Sequence, residues 1–275
     1  MGLAVLLLGL ALAGWFWWRP SWVALRRARI RRRPFPAAWR KILREQVPAV
    51  ARLPANLQLK LKGDVQVFLA EKPFIGCAGL EVTDTMRLVV AAQACLLQLG
   101  RRNHLFPDLT QVLLYPGAFI VQRTEAAGLG LQRDVQRVLS GESWSQGQVI
   151  LSWDDVLAGA ARPADGHNVV VHEFAHQLDQ EKGVANGAPP LPLRTGRAGR
   201  VRWAQVLGEA FTRLRQQIDR GEDHLLDAYG ATDPAEFFAV ACEVFFEQPE
   251  ALAQAEPALF EQLCLCHRVN PLSWR

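Results

Sequence analysis

Hydrophobic positions fall along the chain in three textures. Met1 to Trp18 carries no charged side chain. From about residue 38 apolar residues recur mostly at helical spacing, and between 110 and 153 they come in short runs broken by Pro and Gly. The helical texture predicts helices near 38–52, 63–71, 86–102, 201–219, 234–247 and 257–267. The third of these contains MRLVVAAQACLLQLG, apolar nearly all round, as a buried helix requires. TQVLLYPGAFIVQ (110–122) reads as two short strands parted at Pro116-Gly117. GQVILSW (147–153) reads as another strand, with Asp154 and Asp155 capping a short helix behind it. A further helix begins near His167, and the Gly/Pro-rich stretch 183–200 is expected to be a loop. Helices dominate, so the fold class is α+β: one mainly helical domain with a small sheet.

The uncharged start changes the picture. As a helix, residues 1–18 span about 27 Å, enough for a bilayer core. Trp15, Trp17, Trp18 and Trp22 gather at one end, where indoles favour the headgroup level. Of the 31 basic residues ten lie between Arg19 and Arg44, with no acid before Glu45. The remaining 21 therefore face 27 acids, and the body is net −6. The pI near 9.0 is thus no argument for nucleic-acid binding, and none is expected. Residues 1–18 are expected to be a membrane anchor and 19–44 a basic juxtamembrane segment against anionic headgroups. Residues 45–275 then form the main folded domain, on the cytoplasmic side of the inner membrane by the positive-inside rule. A cleaved signal peptide, suggested by Ala11-Leu12-Ala13, lacks a basic n-region. A peripheral hydrophobic tail or a soluble cytoplasmic chain competes with the anchor.

The five cysteines are odd in number, form no CxxC and sit in apolar surroundings, as core thiols in a reducing compartment do. Cys264-Leu265-Cys266-His267 has separations too short to suit a zinc cluster.

The candidate chemistry lies in NVVVHEFAHQLD, 168–179. Residues four apart on a helix share a face, so His172 and His176 can direct nitrogens to one point, as tetrahedral zinc requires. Glu173 projects about 100° away and is placed to face water rather than to bind the metal. It would act as general base on water acidified by the ion. The competing possibility is an ordinary buried helix with incidental histidines. Against it, Val171, Phe174, Ala175 and Leu178 supply a core face that leaves His172, His176 and Asp179 on the opposite stripe. Asp179 is a candidate hydrogen-bond partner fixing a ligand imidazole's tautomer.

A third ligand is sought in YGATDPAEFFAVACEVFFEQP, from Tyr229. Asp233-Pro234 starts a helix, and Glu236 and Glu243, nearly two turns apart, are its only charges up to Phe246. A lone buried carboxylate is costly unless paired or metal-bound. Glu236 is therefore assigned as third ligand and Glu243 as a partner of a ligand imidazole; His224, Asp227 and Glu243 compete for the ligand position. Tyr229 could donate to a developing oxyanion, or could simply close the turn before Gly230. A peptide substrate is expected along the edge of the 147–153 strand, facing Val149, Leu151 and Trp153.

Taken together, VVVHEFAHQLD, YGATDPAEFFAVACEVFF, GESWSQGQVILSW and LLYPGAFIV resemble the Mlc titration factor A family of zinc metallopeptidases, from about Arg33 to the C-terminus. The resemblance implies a gluzincin-type, zincin-like domain, similar in its core to the catalytic domain of anthrax lethal factor, with an HExxH active-site helix. It implies one zinc ion on His172, His176 and Glu236, Glu173 as base, Tyr229 as the residue stabilising the transition state, and peptidase activity of aminopeptidase character. It also implies a second role, sequestering a transcriptional repressor of sugar-uptake genes. The hydrophobic start departs from the family pattern, as does Cys242 where serine is expected. Two functions follow for testing: a zinc-dependent peptidase acting on a peptide or protein, or a regulatory binding protein whose metal site is secondary.

Overall fold

A computed structural model of the chain describes residues 22–101, 105–126, 132–139, 141–144, 147–162 and 164–274. Residues 22–31 form α1. They are followed by α2 (Ala37–Gln46), α3 (Ala49–Arg52), α4 (Ala55–Glu71), β1 (Phe74–Gly76) and α5 (Asp84–Leu96). Next come β2 (Gln111–Tyr115), β3 (Phe119–Ala126), β4 (Gln132–Leu139), β5 (Gly141–Trp144) and β6 (Gln148–Ser152). The rest is helical: α6 (Trp153–Ala161), α7 (Val169–Asp179), α8 (Gly196–Asp219), α9 (Pro234–Glu247), α10 (Pro249–Ala255) and α11 (Pro257–His267). The mainly helical α+β class expected from the pattern is what forms.

One sheet runs in the order β1-β2-β6-β5, and β3 pairs with β4 separately. β1, β2 and β6 are parallel and β5 is antiparallel to β6. Val149, Ile150 and Leu151 are all buried, as expected of a strand covered on both faces. Every residue of α5 from Leu88 to Leu96 is buried, and the helix packs against both α4 and α7. Phe174 of α7 meets Phe68 and Phe106 with ring centroids 5.8 and 4.8 Å away, which fixes α7 to the core.

Some boundaries differ from the pattern. The cap before α6 is Ser152, whose hydroxyl accepts the Asp155 amide, while Asp154 and Asp155 occupy the first turn. β6 runs straight into α6, so the strand's last residue is left in the capping position. Helix α8 begins at Gly196, inside the expected loop, after a single 3-10 turn at Leu193–Thr195.

The expectation of a single N-terminal anchor at the cytoplasmic side of the inner membrane is corrected. Among the described residues no helix is long and apolar enough to cross a membrane; residues 1–18 lie outside the described residues. Part of the basic segment also has protein partners. Arg27 pairs with Glu71 at 2.7 Å, and Arg31 with Asp64 at 2.9 Å, while Lys60 takes the other oxygen of Asp64 at 2.7 Å. Asp64 is buried, and Ile30 of the same helix as Arg27 and Arg31 joins the core. Counting charges along the chain could not reveal that acids on α4 come within reach of this segment.

Candidate metal centre

Two helices build the site. Asn168 caps α7, its side chain accepting the Val171 amide. Val170, Val171, Phe174, Ala175 and Leu178 are completely buried, and that fixes the rotation of α7 so that His172 and His176 share the remaining face. Asp233 caps α9, accepting from the amides of Ala235 and Glu236, with Pro234 in the first helical position. Residues 237–247 of α9 are buried, and Glu236 and Glu243 both face α7.

The Nε2 atoms of His172 and His176 lie 3.3 Å apart, and the Oε2 atom of Glu236 lies 3.0 and 3.2 Å from them. Donors arranged tetrahedrally about 2.0–2.1 Å from one ion stand about 3.3–3.4 Å apart, so this triangle has the right size for zinc. The hydrogen bonding is compatible with that role. Glu243 Oε1 lies 2.7 Å from Nδ1 of His172. A carboxylate only accepts, so Nδ1 carries a proton and Nε2 is the position left to face Glu236, where it donates when protonated and can bind a metal once that proton is lost. Either a proton or a metal ion must therefore lie between Nε2 and the Glu236 oxygen 3.0 Å away. The three side chains fit a divalent ion.

The ionisation of the groups reflects the same crowding. Burial drives the His172 ring toward neutrality, but its bonds to Glu236 and Glu243 outweigh this and hold it well above the usual histidine range. Burial opposes ionisation of Glu236, yet its bonds to both imidazoles hold it far below the usual carboxylate range. Glu173 lacks such bonds, and burial pushes it up to about 7 against the pull of the two imidazoles.

The cleft over these residues has a volume of about 780 Å³ and is lined on one side by Gly141 and Ser143 of β5. Tyr229 is on its wall, 47 % exposed, with its ring centroid 5.9 Å from that of His172. His224 and Asp227, the competing ligands, are engaged elsewhere. His224 Nδ1 lies 2.7 Å from the Leu226 carbonyl, and Asp227 accepts the Tyr229 amide.

Two expectations are corrected. Asp179 does not orient an imidazole: its Oδ2 accepts the amides of Asn186 and Gly187 at 2.6 and 2.7 Å, so it secures the loop after α7. At the end of α7 its side chain meets the returning chain rather than the ligand face. Val149, Leu151 and Trp153 do not line an exposed edge. β6 is paired on both sides, Val149 and Leu151 are fully buried, and Trp153 already belongs to α6. The edge strand beside the cleft is β5, whose four residues carry too little alternation to stand out in the sequence.

Two further residues, Asn168 and Glu247, were not expected at the site. Glu243 Oε2 accepts the Asn168 amide, and Glu247 accepts from the Asn168 side chain at 3.0 Å and from the Ala164 amide at 2.8 Å. Glu243 and Glu247 stand one turn apart on α9 and together hold the start of α7. Their i, i+4 spacing, with both carboxylates in an apolar helix, was the available signal.

Comparison with known proteins agrees with this architecture. A family model described as glucose-regulated metallo-peptidase M90 matches residues 22–268. An uncharacterised protein of Synechocystis sp. is 37% identical over 269 residues, covering 98% of this chain and 97% of the relative. Mlc titration factor A of Klebsiella pneumoniae is 39% identical over 232 residues, covering 83% of this chain and 85% of its own. The protein of the same name from Salmonella agona is 36% identical over 228 residues, covering 82% of this chain and 84% of its own. A metallopeptidase family with the chain matched nearly end to end, and relatives of this identity, leave one conclusion: the chain belongs to the glucose-regulated M90 metallopeptidase family, that of Mlc titration factor A.

Proposed function

We propose that this protein is a zinc-dependent peptidase with a zincin-like, gluzincin-type active site and aminopeptidase character. The observation that carries the reading is the meeting of His172, His176 and Glu236 within coordination distance of one point. His172, His176 and Glu236 would hold the ion, and Glu243 fixes the His172 tautomer that leaves Nε2 free to do so. When bound, such an ion supplies Lewis acidity, making water nucleophilic near neutral pH and polarising a carbonyl.

The chain's own residues do the rest. Glu173 takes the proton from the attacking water and passes it to the departing amine. Tyr229 steadies the negative charge that grows on the carbonyl oxygen. The outer edge of β5, unpaired among the described residues, receives the substrate backbone as an added antiparallel strand, so main-chain hydrogen bonds hold the peptide along the cleft. The Glu173→Gln variant is expected to keep its zinc and lose peptide hydrolysis by at least about 100-fold. Parent-level turnover in that variant rejects the mechanism.

A second reading rests on the name Mlc titration factor A borne by relatives at 36–39% identity: capture of a transcriptional repressor, with the metal site secondary. A pull-down separates the two. Capture by parent and Glu173→Gln alike, without cleavage by the parent, favours binding; cleavage lost only in the variant favours the enzyme.

A further inference from the structure

Among the described residues no hydrogen-bond donor holds the Glu173 carboxylate, although the residue is only 5% exposed. Something else must aim it, and the candidate is the backbone of β5. A methyl group built at Gly141 would stand 2.6 Å from Glu173 Oε1, 2.7 Å from its Cγ and 2.9 Å from its Cδ, closer than such atoms approach. Three atoms of the one side chain crowd the place a side chain at 141 would take. Neither wall can retreat easily. Gly141 is paired with Leu151 of the buried strand β6, and α7 is fixed by Phe174 against Phe68 and Phe106. The terminal part of Glu173 is therefore what an added methyl would move.

From this we infer that Gly141 is a positioning residue. Lacking a side chain, it lets the edge strand close directly on the general base and serves as the stop that sets the direction of its carboxylate. The inference rests on the peptidase reading for its kinetic consequence, but the contact itself does not. The gap between β5 and α7 is set by the width of glycine, so position 141 governs the base while leaving the metal-binding trio alone. Misplacing a reacting group by about 1 Å can cost about 100-fold in rate.

The test is Gly141→Ala, prepared with zinc. Its metal content is expected to match the parent, kcat to fall about 100-fold and KM to stay within about twofold. In the Glu173→Gln background the same methyl is expected to cost less than about twofold of the residual rate, because the group it displaces no longer acts as a base. A parent-like kcat, a loss expressed in KM, or equal losses in both backgrounds overturns the inference; a KM effect would mean that Gly141 acts through the substrate. A crystal structure of zinc-loaded Gly141→Ala decides the point without any activity. The Glu173 carboxylate is expected to be displaced while His172, His176 and Glu236 stay in place, and an unmoved carboxylate overturns the inference. A parent that hydrolyses no peptide defeats the peptidase reading and leaves this structural outcome to stand or fall by itself. Should Gly141→Ala fail to fold, recovery of folding in Gly141→Ala/Glu173→Ala supports the contact, and failure in both overturns it.

Discussion

Helix α9 serves two imidazoles from adjacent residues on different faces. Glu243 binds His172 at 2.7 Å, on the cleft side, whereas Cys242 Sγ lies 3.4 Å from Nε2 of His267, inside the core. His172 meets two carboxylates and borders an open cleft, and its pKa is held high. His267 is wholly buried. Its Nδ1 lies 3.2 Å from the Leu97 carbonyl, and the rings of Phe238, Phe245 and Phe246 enclose it. Burial, with no carboxylate to oppose it, pulls its pKa down to about 3 and pushes the neighbouring Cys266 thiol up to about 12. An imidazole by itself therefore says little about function. Carboxylates and solvent access make one site ready for a cation, while a thiol, a carbonyl and phenyl rings make the other a neutral part of the core.

The sharpest way to separate the two sites is to truncate each histidine. His176→Ala is expected to lose nearly all bound zinc by elemental analysis. His267→Ala is expected to keep its zinc but to lose about 3 kcal/mol of stability in denaturant unfolding, because it leaves a cavity and an unpaired Leu97 carbonyl. Zinc retained in the first, or lost in the folded second, would erase the distinction. A finer comparison uses the adjacent residues of α9. Glu243→Gln should weaken zinc binding by about 10–100-fold in chelator competition, since an amide is a poorer acceptor for the His172 N–H. Cys242→Ala should leave that affinity within about twofold. The last comparison is in pH. With its folded pKa near 3 and an unfolded value near 6.5, His267 takes up a proton more readily in the unfolded chain. Its contribution to stability is complete above about pH 6.5 and declines as pH falls toward 3, by up to about 1.4 kcal/mol per pH unit. Relative to His267→Phe, the parent should therefore lose stability in that window; parallel pH curves would mean that the ring is not held neutral.

Legibility in the sequence followed the range of the interactions. Helices α9 and α11 begin and end where their apolar periodicity and prolines indicate, because caps and spacing are local. The trio of His172, His176 and Glu236 could be nominated because an i, i+4 pair and a carboxylate in an apolar helix each carry a local signature, and the family resemblance pointed to the same residues. The role given to Asp179 did not survive, because helical spacing gives direction but not the partner waiting there. The strand at 147–153 was expected at an edge and lies inside the sheet, because the sequence of β6 does not reveal which strand closes it.

The amino-acid order by itself determined the fold class, the capped helices and the residues able to bind a metal, all of which rest on periodicity and side-chain chemistry over a few turns. Only the tertiary structure decided which strand became the edge, that Glu243 and Glu247 clamp the start of α7, that Gly141 abuts Glu173 and that basic residues of α1 pair with acids of α4. Those contacts join segments separated by tens of residues, and their geometry is set by how the helices and sheet pack together rather than by any one segment.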